Sequence, residues 1–106
     1  MYVLNYPGPY YLGETTTFGA TVTTRAGATP EVTAATFTIY DGEGTELYAK
    51  VNTDDELTIS GGILTCLVPL TVAGGFAAEI YYALWTWESG DLEPYELAAF
   101  ELLSVP

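Results

Sequence analysis

Fourteen carboxylates, one thiol and no imidazole are the groups from which this 106-residue chain would have to build a reactive site. The lack of histidine removes the commonest general base and the commonest transition-metal ligand. Cys66 has no histidine to activate it, and the apolar run around it (Ile63, Leu64, Leu67, Val68) reads as the surroundings of a small buried hydrophobe. Paired carboxylates could serve a glycosidase, but such enzymes present them in a deep cleft on a larger scaffold. The expectation is a protein that is not an enzyme and carries no catalytic residues and no cofactor.

Calcium is the one metal worth weighing, because it takes carboxylate and carbonyl oxygen. Two acidic clusters offer these, Asp41 with Glu43, and Asp54 and Asp55 with Glu56. Neither fits the twelve-residue loop of an EF-hand, and acidic residues beside glycine are also what turns use, so no metal ligand is assigned. Gly61-Gly62 and Gly74-Gly75 lack the Lys-Ser or Lys-Thr of a phosphate loop and the G-x-G-x-x-G spacing, and read as turns or bulges.

A net charge of −12, with only Arg25 and Lys50 as cations, excludes nucleic acid, since phosphate contacts need clustered Lys and Arg. The start of the chain (Met-Tyr-Val-Leu-Asn-Tyr) has no basic region followed by a long apolar stretch, and no apolar run approaches the ~18 residues of a membrane span. The expectation is a complete chain made in a cytoplasm, without membrane insertion. A single cysteine also leaves no intrachain disulfide.

What remains is recognition by aromatic surface. Four tyrosines, Tyr2, Tyr6, Tyr10 and Tyr11, crowd an N-terminal segment broken by Pro7-Gly8-Pro9, and Trp85 and Trp87 sit in a late aromatic run. Aromatic residues concentrate at the centres of interfaces, so these six are the candidate partner contacts. The set Tyr81, Trp85, Trp87 and Tyr95 is also a candidate sugar-stacking platform, which would require Trp85 or Trp87 to be exposed in a groove.

The elements that position these residues are strands. Apolar residues make up 49% of the chain and charged ones 15%, the balance of a folded domain, and the abundance of Thr, Val and Tyr with frequent Gly and Pro breaks speaks against helix. Phe18, Ala20 and Val22 alternate with Thr17, Gly19, Thr21 and Thr23, giving one buried face and one wet face. Ala35, Phe37 and Ile39 do the same in a second strand, and Asp41-Gly-Glu-Gly44 supplies a tight hairpin into a third, about 46–51. Short strand is expected at 57–60, then at 63–71, 79–87 and 95–103. In 79–87 both faces are apolar, so alternation alone does not say which is core.

About seven strands in this length predict an all-β, immunoglobulin-like antiparallel sandwich over residues 14–106, preceded by an N-terminal arm or edge strand over residues 1–13. Phe37-Thr-Ile-Tyr-Asp-Gly-Glu-Gly44, Gly62-Ile-Leu-Thr-Cys-Leu-Val-Pro69, the aromatic stretch Phe76 to Trp87 and the final strand with Phe100 resemble the small bacterial Ig-like modules of tailed-phage virion proteins. The resemblance implies a non-enzymatic virion structural protein, a capsid decoration or head-tail accessory protein. Its implied partners are other virion proteins of capsid, neck or tail, with homo-oligomerisation open and the virion as its location. The alternative is a glycan- or receptor-binding β-sandwich module.

Overall fold

A computed structural model describes residues 2–5, 10–22, 32–88 and 95–104, of which 2–5, 95 and 96 are described in backbone only. Their elements are nine strands and one short 3-10 turn: β1 (Tyr2–Asn5), β2 (Tyr10–Tyr11), β3 (Thr15–Val22), β4 (Ala34–Tyr40), β5 (Glu46–Val51), β6 (Leu57–Ser60), β7 (Ile63–Pro69), the turn Val72–Gly74, β8 (Ile80–Glu88) and β9 (Tyr95–Leu103). They form two sheets, ordered β1-β3-β7-β6 and β2-β9-β8-β4-β5. The first is the A-B-E-D order of immunoglobulin domains and the second carries their G-F-C-C′ order, so the fold is an immunoglobulin-like β-sandwich.

The seven strands read from alternation are β3 to β9, and the N-terminal segment adds two more. β1 pairs antiparallel with β3, whereas β2 pairs with β9 in parallel, Tyr10 opposite Leu102 and Tyr11 opposite Leu103. The sandwich is therefore antiparallel except for this one short pair. Hydrogen bonds from Leu12 N to the Leu103 carbonyl and from Gly13 N to the Leu70 carbonyl continue the attachment.

Turn chemistry sets the registers. Gly61 and Gly62 both adopt positive φ (56° and 79°), as a two-residue hairpin turn requires, and they join β6 to β7 with Ser60 opposite Ile63. The Asp41 carboxylate accepts from Glu43 N and Thr45 N, both at 2.9 Å, closing the β4–β5 loop around Gly44 at φ 84°. Asp54 likewise accepts from Val51 N at 2.8 Å. Both acidic clusters thus supply a carboxylate to loop backbone.

Between the sheets lies a continuous chain of rings. Tyr10 packs on Phe18 (4.9 Å between centroids), Phe18 on Phe37 (5.2 Å) and on Phe100 (5.1 Å), Phe37 on Trp85 (4.7 Å), Phe100 on Tyr81 (5.8 Å), and Tyr81 on Phe76 (5.3 Å). All four phenylalanines of the chain stand in this cluster. At the start of β8 the Tyr81 hydroxyl turns back on the chain, donating to the Ala77 carbonyl at 3.0 Å and accepting from Ala77 N at 2.7 Å. This is the tyrosine corner of immunoglobulin domains. Two residues on, where disulfide-bonded relatives of the fold carry their second cysteine, stands the buried Ala83. Stacked rings of β3, β4 and β8 join the sheets where a disulfide does so elsewhere.

Candidate functional site

Three of the six sequence candidates for surface contact lie in the core. Trp85 is fully buried, Trp87 is 3% exposed and Tyr10 is 4% exposed. Their rings are engaged in the inter-sheet packing and cannot be offered to a partner, because without a disulfide the sandwich needs its largest side chains between the sheets. Tyr2 is placed at a register position opposite Val22, and Tyr6 lies outside the described residues. Of the four candidates whose side chains are described, only Tyr11 has a surface-exposed ring, beside Leu103 on the outer side of the five-stranded sheet. The sugar-stacking platform dissolves with them, since Tyr81, Trp85 and Trp87 all point inward.

Strand β8 explains the change. Its burial alternates residue by residue, with Tyr81, Ala83, Trp85 and Trp87 buried and Ile80, Tyr82, Leu84 and Thr86 facing out. β4 behaves alike, burying Ala35, Phe37 and Ile39 and turning Ala34, Thr36, Thr38 and Tyr40 outward. Registers then assemble the outer surface: Tyr40 lies opposite Tyr82 and Tyr82 opposite Ala99, Thr38 opposite Leu84 and Leu84 opposite Leu97, and Thr36 between Val51 and Thr86. The Thr36 and Thr86 hydroxyls hydrogen-bond to each other, which pairs two of the polar groups on this face.

The result is a broad neutral face. Leu97 and Ile80 stand proud of it, 52% and 51% exposed, with Tyr82 and Val51 close behind. Beside them runs a groove of about 1010 Å³ floored by Thr36, Tyr40, Leu84 and Thr86. The described carboxylates nearest it are Asp41 and Glu88 at the ends of the groove, Glu46 opposite Tyr40 on β5 and Glu101 opposite Ile80 on β9. Lys50, the one basic side chain among the described residues, is held away from it, 3.6 Å from Glu56 and 5.4 Å over the Tyr48 ring.

The titratable groups of the core are in their neutral forms. Burial pushes the Cys66 thiol up to about 12, so the thiolate a nucleophile needs does not form near neutral pH. Burial raises the Tyr10 hydroxyl to about 12, and burial, helped by the neighbouring Cys66 and Glu56, does the same to Tyr48, whose hydroxyl donates to the Leu67 carbonyl at 2.8 Å and ties the edges of the two sheets together. Among the described residues no three His, Cys, Asp or Glu side chains gather where a metal ion could be held, and no helix is long and apolar enough to cross a membrane. The described outer face of the five-stranded sheet presents exposed apolar side chains beside a groove.

No family model matches the chain, and neither a curated protein nor a solved structure matches it.

Sequence reasoning missed Ile80, Tyr82, Leu84, Leu97 and Tyr40 because it ranked aromatic size above strand phase. The signal was present. Tyr81, four residues after Ala77 at a strand start and without a cysteine pair to follow, fixes the phase of β8 once the tyrosine corner is read, and every second residue from Ile80 must then face out.

Proposed function

We propose that the chain is a non-enzymatic virion structural protein, a capsid decoration or head-tail accessory module that acts by binding other proteins of the particle. The observation that carries the reading is the outer face of the five-stranded sheet. Monomeric proteins seldom expose contiguous apolar surface of this breadth, and where they do it marks an interaction site. Here Ile80, Tyr82, Leu84, Leu97, Val51 and Tyr11 lie exposed or half-exposed on one side of one sheet in a chain of net charge −12, whose described carboxylates lie almost all in loops and at strand ends.

The resemblance to phage Ig-like modules supplies the virion setting, and the Ig-like strand order and tyrosine corner are in keeping with it. A sandwich with buried rings, a protonated thiol and carboxylates hydrogen-bonded to loop backbone suits a load-bearing or adhesive part better than a catalyst. Burial of Trp85 and Trp87 favours this reading over the glycan-binding one, which needed at least one of them in an open groove.

The test is fractionation of a lysate of the producing host by density gradient, with the chain followed by mass spectrometry. Recovery with assembled particles at a fixed ratio to the major particle proteins is expected. Confinement of the chain to the soluble fraction would contradict the proposal.

A further inference from the structure

We infer that β5 is a strap, pinned at both ends and clasped at its middle by Tyr48 and Lys50, whose outward movement uncovers the core at Cys66 while the rest of the sandwich stays folded. The inference concerns motion within the fold and is independent of the virion reading.

Burial is the first argument. β5 ends its sheet, with β4 as its one described neighbour. Among the strands described with their side chains it alone buries no residue: Glu46, Ala49 and Val51 are exposed, and Leu47, Tyr48 and Lys50 are half-buried. Its register with β4 also shifts between Ile39 and Tyr40, which interrupts the ladder near the start of the strand. An edge ladder with few buried apolar groups is what lets a segment open at less cost than global unfolding.

The clasp is the second. Tyr48 lies opposite Ile39 and Lys50 opposite Phe37, and both of these β4 residues are buried, so Tyr48 and Lys50 stand on the inner side of their sheet. The Tyr48 hydroxyl crosses to the other sheet and donates to the Leu67 carbonyl at 2.8 Å. Lys50 lies 3.6 Å from the Glu56 carboxylate and 5.4 Å over the Tyr48 ring, which ties it to the same place. With the partial packing of Leu47 and Tyr48 on the core, these polar contacts hold β5 against the four-stranded sheet.

What lies behind the clasp is the third. The Cys66 sulfur is 3.8 Å from the same Leu67 carbonyl oxygen, which places the fully buried thiol directly behind the Tyr48 hydroxyl. Both ends of the strap are fixed by carboxylates: Asp41 accepts from Glu43 N and Thr45 N before it, and Asp54 accepts from Val51 N at its end. Displacement is therefore confined to the strand between these turns, and Cys66 is its built-in reporter.

Labelling of Cys66 in the full chain with an aryl disulfide, dithiobis-nitrobenzoate, tests this across a urea series, at reagent levels where reclosing outpaces reaction. The Cys66 thiolate attacks the reagent's disulfide, forming a mixed disulfide and releasing one coloured aryl thiolate. In low urea the rate is expected to rise with a slope less than about half that of global unfolding. Tyr48→Phe combined with Lys50→Met removes both clasping groups and keeps their stems, and should speed labelling about tenfold with an unchanged circular dichroism spectrum. Gly61→Ala strains the closed and the strap-open states alike, so it should lower the urea midpoint and change the labelling rate by about twofold or less. A rate that follows global unfolding at every urea concentration overturns the inference. So does a folded double variant labelled at the native rate, or a Gly61→Ala rate that rises in step with the stability lost. Should the double variant not fold, the urea slope of the native chain decides by itself.

Discussion

Strands β3 and β8 are each central in one sheet and face each other across the core, yet their outer sides differ in kind. β3 turns Thr15, Thr17 and Thr21 outward, with Thr65 of β7 and Thr58 of β6 on the same side, while Ile63 and Leu67 of β7 stand exposed opposite Thr21 and Thr17, so the outer side of the four-stranded sheet mixes hydroxyls with apolar side chains. β8 turns Ile80, Tyr82 and Leu84 outward, next to Leu97 and Ala99 of β9, and water gains little there. The inner sides are alike: Phe18, Ala20 and Val22 on one, Tyr81, Ala83, Trp85 and Trp87 on the other, all buried. Folding explains both inner sides. It explains the threonine face as the β-branched, neutral way to keep a sheet wet without charge. The unbroken run of Ile80, Tyr82 and Leu84 beside Leu97 is what the proposed contact accounts for.

The largest effect separates inner from outer side on β8 itself. Trp85→Ala, which empties the ring stack against Phe37, should destabilise the fold by about 3–5 kcal/mol in denaturant titrations, enough to unfold a marginal domain. Tyr10→Ala should cost about 3 kcal/mol for the same reason, while Tyr11→Ala, one residue on and exposed, should stay within about 0.5 kcal/mol. If Tyr10→Ala were silent for stability, the segment 1–13 would be a detachable arm after all. Next in size is Gly61→Ala. Nothing lies within 4 Å of the added carbon, so the whole cost, about 1–2 kcal/mol, is the positive φ of the β6–β7 turn.

Alkaline pH sharpens the contrast between buried and exposed groups. Unfolded, Cys66 titrates near its ordinary 9.0 and Tyr10 and Tyr48 near 10.0; folded, all three hold their protons to about 12. The folded state thus binds protons that the unfolded state has lost. Stability is intact below about pH 9 and declines between about pH 9 and 12. Cys66→Ala should make that decline shallower, measured as the slope of denaturation midpoint against pH. The smallest effect on stability belongs to the outer faces: Thr17→Ala on one and Leu97→Asp on the other should each change it by no more than about 0.5 kcal/mol.

Much of this was legible in the residues, and the limits have physical causes. Where one side of a strand is apolar and the other hydroxylic, as in β3 and β4, alternation identifies the core at once. The hairpin at Asp41–Gly44, the turn at Gly61-Gly62 and the buried thiol of Cys66 follow from local chemistry that tertiary packing does not override. β8 resisted because both its sides are apolar, so period two fixes the partition and leaves the orientation open. Tryptophan stood as a candidate for contact because of its frequency at interfaces, with the core equally open, and its volume is needed between sheets that lack a disulfide. The N-terminal segment resisted for another reason: the parallel pairing of Tyr10-Tyr11 with Leu102-Leu103 joins residues some ninety positions apart, and no local pattern encodes it.

The central claim is that the leucine and tyrosine face, and not the threonine face, is a contact surface. Recovery of variants with assembled particles tests it most directly, with Leu97→Asp combined with Ile80→Asp set beside Thr17→Ala. The account predicts that the double substitution leaves the particle fraction with an unchanged circular dichroism spectrum and that Thr17→Ala stays with the particles. A double variant that still travels with particles, or loss of Thr17→Ala from them, would contradict it.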